Sequence, residues 1–119
     1  MADIKTSLAE LLKIDGAKCV SLVDSSSGMV LGEDGTGVDM ELAAAGNSEV
    51  VKAKMKTMKS LNLKGEIEDI LITLDDQYHI IRPMVTQKGL FLYLVLMKDK
   101  ANLALARRKV QNVEEEMKV

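Results

Sequence analysis

The longest unbroken apolar run in this chain is "LFLYLVLM", the eight residues Leu90 to Met97. That length suits a strand and falls short of the roughly ten to twelve residues expected of a buried helix. A strand that is apolar on both faces belongs in the middle of a sheet, with a covering layer on each side. Elsewhere the period changes. Ile4, Leu8, Leu11 and Leu12 recur at helical spacing behind Asp3, a natural N-cap, and Gly16 closes the segment. "AKCVSLVD" (17–24) and "GMVLGED" (28–34) are strand-like, and the Ser25, Ser26, Ser27 and Gly28 between them favour a hairpin turn.

A long helix is predicted from Met40 to about Leu61, with Asp39 as its N-cap and the glycine-rich "GEDGTGVD" (32–39) as a flexible loop before it. On this helix Met40, Ala44, Asn47, Val51, Met55 and Met58 form one stripe, edged by Ala43, Val50 and Leu61, while Glu41, Lys52, Lys56 and Lys59 lie opposite. Ala43, Ala44, Ala45 and Gly46 leave its first half nearly bare, a surface another backbone can approach closely. "IEDILITLDDQYHIIRPM" (67–84) alternates about Asp75 and Asp76, as two antiparallel strands joined by a tight turn do. Pro83, the single proline, cannot donate to a ladder and marks a strand end, an edge or a bulge. Asp99 is placed to cap a last helix in which Leu103, Ala106, Val110, Val113 and Met117 recur. Its outer face is Arg107, Arg108 and Lys109, then Glu114 to Glu116, a split suited to pairing along the helix and to solvation. The order is α-β-β-α-β-β-β-α, an α+β chain whose five-stranded, mostly antiparallel sheet carries helices on both faces.

Composition narrows the chemistry. The 119 residues make one domain, 1–119. Aromatic residues are only 3% of the chain, so aliphatic side chains and eight methionines must fill the core. A net charge of −2 and so few aromatics argue against nucleic acid as a partner. Cys19 stands alone in a strand-like run, as a buried reduced thiol of a cytoplasmic protein would. Asp3, Lys5 and Glu10 interrupt the first apolar stretch, so it does not resemble a signal peptide, and no run is long enough to insert in a membrane.

Catalytic constellations are missing from the pattern. The glycines of "GEDGTG" lack the Gly-Lys-Ser/Thr ending of a phosphate loop, and Glu33 and Asp34 would repel a phosphate. His79 is the only histidine and has no metal-ligand spacing to a second His or a Cys. Arg82 beside Pro83 reads as tying down a loop carbonyl or an acidic side chain. No enzymatic activity, metal or cofactor is expected.

"DGAKCVSLVDSSSGMVL", "YHIIRPM" and "LFLYLVLMKDKANLALARRKV", taken with the element order, resemble the roadblock / dynein light chain family in its bacterial and archaeal branch. The resemblance spans nearly the whole chain and is most specific at "ANLALAR" after the apolar strand. It implies a profilin-like roadblock fold and a homodimer built by pairing third strands and packing second helices. Carried onto this chain, the shared edge is Ile67 to Leu74, including Ile70 and Ile72, and the helix contact is Met40, Ala43, Ala44, Asn47 and Val51. An exposed alternating strand such as "DILITL" is independently a liability unless its edge is covered.

The resemblance further implies a non-catalytic platform that binds and regulates a small Ras-like GTPase, with Glu41, Ser48, Lys52, Lys56 and Lys59 expected to face it. Two alternatives come from other classes: a purely structural dimerisation subunit of a scaffold or motility complex, and a small-molecule sensor using the sheet as a pocket floor.

Overall fold

In the computed structural model, which describes residues 2–119, the elements run α1 (Ile4–Leu12), β1 (Ala17–Asp24), β2 (Met29–Gly35), α2 (Met40–Ser60), β3 (Ile70–Thr73), β4 (Gln77–Pro83), β5 (Leu90–Met97) and α3 (Leu103–Glu116). The strands form one sheet in the order β2-β1-β5-β4-β3, and every neighbouring pair is antiparallel. The fully apolar strand β5 is central, as its pattern requires. Leu92, Leu94 and Leu96 point to one face, where they pack with Leu8 and Leu11 of α1 and with Ala106 and Val110 of α3. Phe91, Tyr93 and Val95 point to the other, beneath Met40, Ala44 and Val51 of α2. Each fully buried large apolar side chain contributes roughly 1.5–3 kcal/mol relative to exposure, so this strand anchors both cores.

Local rules account for most element ends. The Asp3 carboxylate accepts from the Thr6 amide at 2.8 Å and the Asp39 carboxylate from the Leu42 amide at 3.2 Å, satisfying donors that the first turns of α1 and α2 leave free. Leu74 N–H donates to the Gln77 carbonyl at 2.8 Å, closing the β3–β4 turn around Asp75 and Asp76. Pro83 ends β4. Among the described residues no helix is long and apolar enough to cross a membrane.

Four expectations are corrected. Asn102, rather than Asp99, caps α3, its side-chain oxygen accepting from Leu105 N–H at 3.1 Å. The chain first turns back on itself, with the Lys100 and Ala101 amides both donating to the Met97 carbonyl at 3.1 Å. The glycine-rich segment is not all loop, because β2 continues to Gly35, which pairs with Cys19. Gly35 has φ +83°, and a Cβ there would collide with the Lys18 carbonyl and the Cys19 Cα, so only glycine fits.

The edge strand is also shorter than 67–74. Glu68 and Asp69 are drawn away from the ladder: the Glu68 carbonyl accepts from Arg82 at 3.2 Å, and Asp69 takes a bidentate pair from Arg107 at 2.7 and 2.9 Å. Finally, Glu114 is not on the outer face of α3. It is 0% exposed, and one carboxylate oxygen accepts from Arg82 Nε and its terminal nitrogen at 3.2 and 3.1 Å. The other oxygen accepts from the Thr86 hydroxyl at 3.0 Å. Arg82 thus ties down both a loop carbonyl and an acidic side chain.

Candidate interaction surface

Helix α2 carries the residues on which an interaction surface depends, and its two faces divide differently from the expected stripe. Met40, Ala44, Ser48 and Val51 are buried against the sheet of their own chain. Ala43 and Asn47 sit half-buried at the margin. The sheet has taken up most of the stripe that was expected to meet a second helix. Periodicity identifies an apolar face but does not say which surface receives it.

Ser48 is likewise corrected as a partner-facing residue. It is buried, and its hydroxyl donates back to the Ala44 carbonyl at 2.7 Å, so it offers nothing to a docking protein. Glu41, Lys52, Lys56 and Lys59 are exposed. The Lys52 ammonium lies 3.9 Å from Glu49, a surface pair of little energetic weight.

The outward side of α2 is lean. Leu42 is 73% exposed, Ala45 and Val50 are exposed beside it, and a Cβ added at Gly46 would meet nothing within 4 Å. An apolar residue standing that far into water, next to a position with no side chain, makes a shallow surface suited to close approach.

Strand β3 forms one border of the sheet. Ile70 and Ile72 pair with Ile81 and His79 of β4 and lie half-buried at the edge of the α2-side cluster. Among the described residues no strand pairs with the far side of β3. Its backbone groups there, together with the exposed Leu71, are a ready template for a further strand.

On the same sheet face β4 and β5 hold a polar relay. His79 Nε2 is 2.9 Å from the Gln77 side-chain oxygen, and His79 Nδ1 is 2.9 Å from the Tyr93 hydroxyl. The Gln77 oxygen can only accept, so Nε2 carries the proton and Nδ1 accepts from the phenol. The rings meet edge-on, with centroids 5.5 Å apart. Burial pushes the His79 pKa down, and burial pushes the Tyr93 pKa up, partly opposed by the nearby Asn47 amide. That amide nitrogen is itself buried and stops short of completing a hydrogen bond. The relay holds a neutral imidazole and a neutral phenol and fixes both rings.

Cys19 is buried, and desolvation raises its pKa, which keeps it a thiol. Among the described residues no three His, Cys, Asp or Glu side chains are grouped to hold a metal ion. What the molecule presents is a surface: an open strand edge at one border of the sheet, and a lean helix with a lysine row over one of its faces.

The same architecture occurs in solved structures. A Roadblock/LC7 domain from Streptomyces avermitilis matches with a TM-score of 0.82 at 14% identity, over 96% of this chain and 93% of that one. The chain has the roadblock fold. MglB from Myxococcus xanthus matches this roadblock-fold chain at a TM-score of 0.81 and 19% identity, over 95% of this chain and 92% of that one. The gliding protein MglB from Thermus thermophilus matches it at a TM-score of 0.73 and 18% identity, over 94% of this chain and 88% of that one. No family model matches the chain, and no curated protein matches it. Identities this low carry the fold, while function has to be argued from the surface.

Proposed function

We propose that this roadblock-fold chain is a non-catalytic homodimeric interaction module that binds and regulates a small Ras-like GTPase. The observation that carries the proposal is the presence of two uncovered features: the outer edge of β3 and the lean outward face of α2. Joining two β3 edges would continue the sheet across both copies and cover Ile70 and Ile72. The helix contact would then centre on Ala43 and Asn47 at the margin, together with the exposed residues around Gly46. Met40, Ala44 and Val51 would support that contact from beneath. A dimer of this kind would bury about 800 Å² per partner, a standard size for a specific interface.

The GTPase assignment is supported by the resemblance of the sequence to the bacterial roadblock branch and by the likeness of the fold to MglB. Glu41, Lys52, Lys56 and Lys59 are the residues proposed to meet it. Calorimetric titration of the protein with a purified small Ras-like GTPase tests the assignment. Lys52→Glu with Lys56→Glu should weaken binding by at least about tenfold, since charge pairs across an interface steer and select partners. Unchanged affinity removes these lysines from the interface. A GTPase that binds with no change in its hydrolysis rate would instead favour a structural subunit of a larger assembly.

A further inference from the structure

Beneath the C-terminal half of α2 runs a groove of about 510 Å³. Val51, Met55 and Met58 form one wall, Leu63 and Ile67 of the segment after α2 close one end, and Val85 of the β4–β5 connection stands opposite. Met55, Leu63 and Val85 are 49%, 53% and 54% exposed, so the groove opens to water along its length. Three large apolar side chains held together in water form a patch that gains from being covered.

Charge around the groove is one-sided. Val51, Met55 and Met58 are each followed by a lysine about 100° further round the helix, so Lys52, Lys56 and Lys59 form a row on the flank of α2 rather than opposite the stripe, and Lys59 lines the groove itself. Between Val50 and Gly65 the chain has five lysines, 52, 54, 56, 59 and 64, and no acidic residue, in a molecule whose net charge is −2. Lys88 also lines the groove, but Glu66 holds it at 2.7 Å, and Lys52 lies 3.9 Å from Glu49, so Lys56 and Lys59 supply most of the uncompensated charge. The far wall is firmly built: Glu114 holds Thr86, and Arg82 holds the Glu68 carbonyl.

We propose that this groove docks an acidic, amphipathic segment of a partner protein, with apolar anchors between Met58 and Val85 and carboxylates along Lys52, Lys56 and Lys59. The stretch from Lys52 to Lys59 spans about 10 Å along the helix. A single anionic headgroup cannot use such a row, whereas a segment with several acidic residues can. A second copy of this chain is a poor occupant. Its acidic pairs and runs are fixed within its own fold, Glu33 and Asp34 in β2, Asp75 and Asp76 in the β3–β4 turn, and Glu114 to Glu116 at the end of α3 with Glu114, Val110 and Met117 buried, so none is a free segment. Methionines suit a groove that receives a flexible segment, because an unbranched thioether adapts to the shape presented. The site does not depend on the GTPase assignment, although it shares its lysines.

The test is methyl NMR of the full chain, titrated with a synthetic peptide of about 15 residues that carries Leu at every third or fourth position and Glu between. The Met55, Met58 and Val85 methyls should shift together and saturate. Lys52→Glu with Lys59→Glu, and separately Leu63→Ser with Val85→Ser, should each weaken binding by about tenfold or more. Both pairs are on the surface, and an unchanged thermal midpoint establishes that the variants are folded. Leu63→Ser with Val85→Ser should leave GTPase affinity as it was, so the groove and the GTPase assignment can fail separately. Absence of binding, shifts elsewhere on the molecule, or equal binding of a peptide with Ser in place of Leu would each overturn the proposal. So would the same methyls moving on dilution without peptide, which would make a second copy the occupant, or tighter binding of dodecanoate.

Discussion

Removing the Glu114 carboxylate should be among the most damaging single changes available in this protein. Glu114 is wholly buried, and the Arg82 side chain it faces is 9% exposed. In Glu114→Ala the guanidinium stays in the interior with only the Glu68 carbonyl at 3.2 Å among its partners, and the Thr86 hydroxyl loses its acceptor. An uncompensated buried charge of this kind costs about 3–5 kcal/mol. Domains of this size are stable by about 5–15 kcal/mol, so one side chain accounts for a large share. With a urea m-value of about 2 kcal/mol/M, the unfolding midpoint followed by circular dichroism should fall by about 2 M. Protein concentration must be held constant, because self-association would add to apparent stability. Replacing the whole pair, Arg82→Met with Glu114→Met, should recover all but about 1 kcal/mol, since an ion pair repays little more than its desolvation. A loss below about 1 kcal/mol in Glu114→Ala would refute the assignment of a buried, paired carboxylate.

Three further outcomes are expected. Ile72→Lys places a charge at the proposed shared edge and should weaken self-association measured by light scattering, while the monomer keeps its circular dichroism spectrum; an unmodified protein that is monomeric at high micromolar concentration would sink the shared edge. Gly35→Ala sets a side chain at φ +83° against the Lys18 carbonyl, and should cost at least about 2 kcal/mol in the same urea assay; a change within experimental error would contradict the close approach. Burial holds the His79 pKa below its ordinary 6.5, so as pH falls the unfolded chain takes up a proton that the folded chain refuses. Stability from this group is therefore complete above about pH 6.5 and declines below it until the folded pKa is passed. His79→Gln should flatten the dependence between about pH 7 and pH 5, and an unaltered slope would count against it. Asp3 and Asp24, held below the ordinary carboxylate value of 3.8 by hydrogen bonds from Thr6 and Ser26, enter only at lower pH.

Much of the fold was legible because short-range physics dominates it. The continuous apolar run of β5 demanded a central position, and the Asp3 and Asp39 caps located two helix starts. Asp99 misled because a cap acts only on the residue where the chain enters the helix, and the turn at Met97 delays that entry to Asn102. Glu114 misled more seriously. Its place in a run of three glutamates reads as a solvated face, and nothing local announces that Arg82, 32 residues earlier, will meet it.

The candidate surface was legible in outline. The bare segment Ala43 to Gly46 and the alternating β3 were visible as features needing cover, but the sequence could not divide α2 between its own sheet and a partner. Ser48 fell on the wrong side for that reason. The Asn47, Tyr93, His79 and Gln77 side chains come from three elements, and no pattern in the chain brings them together.

What the chain determined alone is what depends on neighbours within about one helical turn or one strand pair: element types, caps, turns and the two-sided burial of β5. The tertiary structure decided everything that depends on which surfaces meet. It set the sheet order that puts β3 at a border, turned Met40, Ala44, Ser48 and Val51 inward, buried Glu114 against Arg82, and left the groove between Met58 and Val85 open, with Lys59 at its side. The physical reason is that hydrophobic burial is non-directional: periodicity marks a face as apolar, and only packing selects the surface that covers it.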